Sequence, residues 1–343
     1  MKAKICRSER LRIAKRGLKQ HSLKVKRRKK VHVVPRAYFS NISMYEKEKL
    51  KPYRIKCPVD FTIETGLEKS IVFLSRVRNF NGQNYSHVYL DLNGIKKIDI
   101  VCIVMLLSVV NHLSSRNISV VGNHSGESIS DNIFCKSGFL SHMTKISGGK
   151  FTSSDEHSLI VKIGTDKANP DLIGKTNAKA VKILTGREFH YKKLNSMVGE
   201  MAGNTMEFAY SHNKHYLYCY NYTGGDEITF VFSDVGYGII DTLRKNVGHI
   251  INDTITFKDK LAVLNGAFDK KYGSKTEEVN RNQGLPLIKS VNNEGLVKNL
   301  RVLTNGVYLD FDDNEKSQIL SNRYSGTIYV WKVSKSILEE YLS

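Results

Sequence analysis

Apolar and polar positions alternate or recur along the chain in two patterned regions. In the first, Val88, Leu90 and Leu92 alternate with Tyr89 and Asp91, which predicts a strand over 86–92. Behind Asp99, Ile103, Leu106, Leu107, Val110 and Leu113 recur at helical spacing, and 117–121 reads as a second short strand. Strand, helix, strand and a further helix in a segment ending at Gly138-Phe139 predict a small α/β layer over about 55–145. A Ser/Gly-rich stretch at 147–154 reads as a linker. In the second region a helix is predicted over 191–209, with Leu194, Met197, Val198, Met201, Thr205 and Phe208 on one face. Strands over 215–222 and 227–233 follow, joined by Gly224-Gly225. In the first of these, Tyr216, Tyr218, Tyr220 and Tyr222 share one side while Leu217 and Cys219 take the other. A polar, Lys-rich connection follows Gly238, and 300–311 and 327–333 again read as strands.

A length of 343 residues predicts two or three domains, and 41% apolar residues suffice for real cores. The expected division is a basic arm over 1–40, an α/β domain over 41–146, a linker over 147–155 and a second domain over 156–343. Five widely spaced cysteines without a C-x-x-C pair argue against a zinc ribbon or a disulfide scaffold. No apolar run reaches the roughly 18–20 residues of a membrane span, so the expectation is a cytoplasmic protein without membrane attachment.

Charge changes the picture at one end. The net charge is +20, yet residues 1–40 hold fifteen Lys and Arg against Glu9 alone. The densest run is Lys24, Lys26, Arg27, Arg28, Lys29 and Lys30. Like charges this close repel unless a polyanion holds them. DNA or RNA phosphates would bind such an arm by counterion release, with steep salt dependence and little sequence preference. An acidic protein surface would serve the same charge.

Three short motifs in the second region carry candidate chemistry. Glu200 and Asn204 stand one helical turn apart, on a stripe flanking the apolar face. An amide oxygen there can hold a hydrated magnesium ion, and a carboxylate one turn earlier can orient or deprotonate water. Asp234-Val-Gly-Tyr-Gly238 follows a strand directly. Its carboxylate can accept from the exocyclic amine of adenine, while Gly236 and Gly238 let the backbone approach a flat base. Asn282-Gln-Gly-Leu-Pro-Leu-Ile288 places Gly284 at a helix start, where free N–H groups face phosphate oxygens. The intervening polar stretch is long enough for a lid.

Taken in this order, the motifs resemble the GHKL, or Bergerat-fold, ATP-binding superfamily over about 156–335. The resemblance implies a two-layer α/β sandwich with an ATP lid. It also implies ATP and magnesium as cofactors, with Asn204 on the metal and Glu200 as the catalytic acid-base. Asp234, Gly236, Gly238, Gly284 and Leu285 would bind nucleotide, as would Thr304 in Thr304-Asn305-Gly306. The second glycine box departs from its usual G-x-G-L in having Asn282 first. Lys258, Lys260, Lys270, Lys271 and Lys275 are candidate phosphate contacts from the lid. The first region, through Val88–Ile95, Ile98-Asp99 and the apolar helix behind them, resembles a STAS domain. The hydroxyl that STAS antagonists carry after that Asp is missing from Asp99-Ile100-Val101-Cys102; Ser108 lies two turns on.

The implied function is a nucleotide-dependent switch, often dimeric in this superfamily, acting on a partner protein or nucleic acid in bacterial signalling or defence. A serine/threonine kinase of the anti-sigma-factor type is one alternative. A nucleic-acid-binding protein with a degenerate nucleotide pocket is the other. His212 and His215 lack the companions a metal site needs and read as flanking a turn.

Overall fold

The computed structural model describes residues 51–81, 85, 87–123, 133–134, 137, 139, 158–164, 169–208, 215–251, 259–271 and 284–342. For 158–164, 215 and 246–251 it describes the backbone alone. The basic arm with its Lys24–Lys30 run, the expected linker, His212, Lys258, Lys275 and Asn282 lie outside the described residues.

The fold is mixed α/β, combining parallel sheets with an antiparallel one. In the N-terminal region β1 (Tyr53–Lys56), β3 (Val88–Asp91) and β5 (Val120–Asn123) form a parallel sheet in the order β1-β3-β5. Two further short strands, β2 (Asp60–Phe61) and β4 (Lys97–Ile98), pair in parallel beside it. Helices α1 (Leu67–Arg78) and α2 (Ile100–Ser115) are the crossovers that parallel strands require. Asp99 caps α2, its carboxylate accepting from Cys102 N–H at 2.7 Å and from Ile63 N–H at 2.7 Å. The strand expected at 117–121 starts later, at Val120, because Asn117 takes a positive φ of 59° in the turn before it.

The C-terminal region is built on a seven-stranded sheet in the order β11-β10-β9-β12-β8-β7-β6. Its strands are β6 (Ser158–Gly164), β7 (His215–Asn221), β8 (Glu227–Asp234), β9 (Lys298–Thr304), β10 (Val307–Asp310), β11 (Gln318–Ile319) and β12 (Thr327–Ser334). All its pairings are antiparallel. The stretch read as one strand over 300–311 is a hairpin, because Asn305 and Gly306 both take positive φ, at 51° and 80°. Helices α3 (Pro170–Thr185), α4 (Lys192–Phe208), α7 (Gly284–Asn293) and α8 (Lys335–Leu342) pack on one face. The polar connection after Gly238 holds two helices, α5 (Ile239–Ile251) and α6 (Lys260–Phe268).

Period-two alternation sends each strand's residues to two different cores. Tyr216, Tyr218, Tyr220, Phe230, Phe232, Tyr329 and Trp331 join the core under α3 and α4. Trp331 stacks on Phe230 with ring centroids 5.6 Å apart. Leu217, Cys219, Val231, Leu303, Ile328 and Val330 point the other way, into the core that contains α1 and α2. The tyrosine stripe is thus one face of a sheet, and Tyr218 donates its hydroxyl to Asn177 Oδ1. Helix α2 is buried on nearly every side because it lies between its own small sheet and the large one. Successive layers are therefore the parallel sheet, α1 with α2, the antiparallel sheet, and α3, α4, α7 and α8.

Polar ties cross the junction between α1–α2 and the large sheet. Ser108 and Ser233 hydroxyls are 2.7 Å apart, both fully buried. Ser75 donates to the Arg323 carbonyl at 2.9 Å, Ser321 N–H donates to Glu68 at 2.9 Å, and Arg301 reaches Glu64 at 3.3 Å. Arg301 also pairs with the buried Asp310 at 3.0 Å.

Leu217→Ala tests the shared core. A fully buried Leu facing α2 predicts a loss of about 2–5 kcal/mol in urea unfolding, whereas a solvent-facing position would change stability by less than about 0.5 kcal/mol.

Candidate functional site

Helix α4 forms because its buried positions, Leu194, Met197, Val198, Met201, Ala202 and Thr205, repeat at three and four. Glu200 and Asn204 flank that stripe and are half-buried at the rim of the core. Helix α7 packs beside α4, and its first residue, Gly284, lies directly over the two. A Cβ at Gly284 would sit 2.8 Å from Glu200 Oε2 and 3.5 Å from both terminal atoms of Asn204. A glycine there keeps the backbone close to both side chains, and in the first turn of α7, ahead of Pro286, the N–H groups of Gly284 and Leu285 have no acceptor within the helix. Leu285 is half-buried and packs on the core beneath. The first and third motifs are thus in contact.

The second motif organises a row across four strands. Tyr216 pairs with Asp234, and Thr327 pairs with Thr304, in register. The Asp234 carboxylate joins the two halves, accepting from Thr327 N–H at 3.3 Å and from Gly236 N–H at 2.7 Å. Paired residues of antiparallel strands share a face, so Asp234 and Thr304 lie on the face that carries α4. Only 209–214 separate α4 from β7, which keeps the end of α4 within reach of the strand ends bearing Tyr216 and Asp234. Burial pushes the Asp234 carboxyl up to about 6, against the pull of its two backbone donors and the Arg78 charge.

Thr304 is engaged within the protein. It is fully buried, donates to the Gly326 carbonyl at 3.0 Å and accepts from Ile239 N–H at 3.0 Å. Asn305 completes the lock. Its Oδ1 accepts from Ile240 N–H at 3.0 Å, and its Nδ2 donates to the Tyr237 carbonyl at 2.8 Å. Together they cap α5 from another strand. Asn305 was named in the sequence only as the middle of Thr304-Asn305-Gly306. Its capping partners lie 64 to 68 residues away, so no local pattern reports the bond. Gly238 sits within this lock at a φ of +82°. A Cβ there would lie 2.6 Å from Thr304 Oγ1 and overlap Asn305 Oδ1.

Among the lysines expected to contact phosphate, Lys270 and Lys271 follow α6 and are exposed, Lys271 lying 3.9 Å from Asp269. Lys260 is the half-buried first residue of α6. Ser108 is buried against Ser233, so its hydroxyl does not face solvent. Among the described residues, no three His, Cys, Asp or Glu side chains gather into a metal-binding group. No helix among them is long and apolar enough to cross a membrane. A separate cleft of about 850 Å³ opens between the layers at the far ends of the strands, lined by Glu64, Lys97, Arg301, Lys332 and the 221–224 turn. It takes in Ile98, Asp99, Ile100 and Val101 at the start of α2 but none of Glu200, Asn204, Asp234, Gly236, Gly238, Gly284 and Thr304.

No family model matches the chain, and a search of curated proteins returned no match.

Gly238→Ala combines left-handed backbone with a steric overlap. We predict a loss of at least about 2 kcal/mol in denaturant unfolding, against only about 1 kcal/mol for Ala at Gly186, where the added Cβ meets nothing within 4 Å and the left-handed backbone is the sole cost.

Proposed function

We propose that the chain binds ATP with magnesium in a GHKL-type, Bergerat-fold site and uses occupancy of that site as a conformational switch. The observation that carries this reading is the approach of Gly284 to Glu200 and Asn204. It joins a carboxylate, an amide and a helix N-terminus from segments remote in the chain. On the same face of the sheet, Asp234 is a buried carboxylate already aligned by two backbone donors.

Each group then has a task. Asp234 accepts from the exocyclic amine of the purine, and Gly236 and Gly238 let the base lie against the backbone. The first-turn N–H groups of α7 take phosphate oxygens. Asn204 supplies one amide oxygen to magnesium. That suits an ion that keeps most of its water and takes its other ligands from phosphates. When bound, the metal neutralises phosphate charge. Glu200 orients water or removes its proton. Helices α5 and α6, with Lys260, Lys270 and Lys271, belong to the lid.

The N-terminal layer supports a STAS-like reading through its parallel strands and Asp99 at the start of α2. In that reading it is the surface through which the switch addresses a partner protein. The +14 of residues 1–40 supports contact of the arm with DNA or RNA.

A nonhydrolysable ATP analogue should raise the melting temperature with magnesium and far less without it. Asn204→Ala should remove the magnesium-dependent part; a variant that binds at wild-type affinity overturns the assignment. Binding should also depend on pH. The ionised Asp234 accepts the amine hydrogen bond and the protonated form does not, so affinity should be level well above pH 6. Below its value of about 6 it should fall by up to about tenfold per unit. Titration calorimetry between pH 5 and pH 8 checks this sign.

A further inference from the structure

The N-terminal layer touches the walls around Asp234 through polar groups at two places. The first is at β8. Because side chains alternate along a strand, Ser233 faces α2 while the next residue, Asp234, faces α4. Ser233 is fixed from the N-terminal side by Ser108 of α2, at 2.7 Å in a fully buried hydroxyl pair. Ser108 also donates to the Val104 carbonyl at 2.9 Å, which holds it in place on the helix. Buried Tyr324 lies beside the pair.

The second place is the loop 320–326 ahead of β12. Helix α1 holds it through Ser75 on the Arg323 carbonyl and through Glu68 on Ser321. The loop ends at Gly326, where backbone meets backbone: a Cβ on Gly326 would overlap the Asp234 carbonyl oxygen. The Gly326 carbonyl in turn accepts from Thr304, whose oxygen caps α5. Arg78, the last residue of α1, is buried and its charge reaches Asp234.

We propose that Ser108 is a positioning residue for base recognition, so that the purine end of the site is set by the N-terminal layer while the phosphate end is not. This rests on the nucleotide reading above. Glu200, Asn204 and Gly284 have no tie to α1 or α2 among the described residues, so the two ends of one ligand answer to different parts of the chain. A disturbance of α2 should therefore be felt as lost discrimination for the base rather than as a general loss of binding.

The test compares two ligands on the full chain, each with magnesium: a nonhydrolysable ATP analogue and inorganic tripolyphosphate, which has the phosphates but no base. Ser108→Ala should weaken the analogue by up to about tenfold, a bound set by the net worth of one buried hydrogen bond, and leave tripolyphosphate unchanged. Ser233→Ala should do the same, and the double variant should be no worse than either alone. The ratio of the two affinities does not depend on the fraction of folded protein, so a partly unfolded variant still reports. Equal weakening of both ligands, or no change in the ratio, overturns the proposal. A wild-type chain that binds tripolyphosphate no worse than the analogue, or binds neither, overturns the nucleotide reading and this proposal with it.

Discussion

The large antiparallel sheet must be covered on both faces, and everything else in the chain follows from how that is done. Strand β8 is the clearest case. Phe230 and Phe232 point to α3 and α4, and Val231 points to α1 and α2. Neither face can be left to water. A fully buried Leu, Ile or Phe side chain contributes about 1.5–3 kcal/mol by leaving water, and each face carries many of them. The N-terminal layer is therefore the second half of a core, built on Leu217, Cys219, Val231, Leu303, Ile328 and Val330. An apolar helix such as α2, with scarcely a polar face, is the sequence's way of filling a space closed on two sides.

Alternation has a second effect at the strand end. A step of one residue, from Ser233 to Asp234, crosses from one core to the other. The carboxylate is buried, which raises its protonation range, yet it is met by two backbone N–H donors that favour the ionised form. Burial is the larger effect, and it leaves Asp234 poised near neutrality. The exposed ion pairs, such as Lys182 with Glu188, contribute little by comparison, because water screens them.

Periodic patterns were legible where the cause is local. The stripe on α4 runs over 192–208 against an expected 191–209, since its spacing alone decides which face is buried. The split of Tyr216, Tyr218 and Tyr220 from Leu217 and Cys219 is legible for the same reason. Helix α5 was hidden in a stretch read as lid. Its start is enforced by Thr304 and Asn305, which donate no signal to 239–251, although Ile239, Ile240 and Leu243 do stand at helical spacing. What covers α2 on its second side was likewise invisible, because an all-apolar helix does not name its neighbours. Of the candidate site, the motifs placed Glu200, Asn204 and Gly284 correctly on their elements, but their mutual approach is a tertiary fact.

The lock on Gly238 constrains how the proposed switch can move. A flexible glycine box would let the chain pivot just after Asp234, and the left-handed Gly238 invites that expectation. Yet Ile239 and Ile240 N–H groups are held by Thr304 and Asn305, and the Tyr237 carbonyl is held by the same Asn305. Three bonds to a hairpin of the central sheet would have to break before this segment could swing, at about 0.5–1.5 kcal/mol each, with more for any group left buried and unpaired. Asp241 adds an ion pair to Arg323, on the loop that α1 holds. The first turn of α5 thus moves with the sheet. In the proposed switch, any rearrangement of the segment after Gly238 must therefore pivot beyond that first turn, and Asp234 must stay with the sheet.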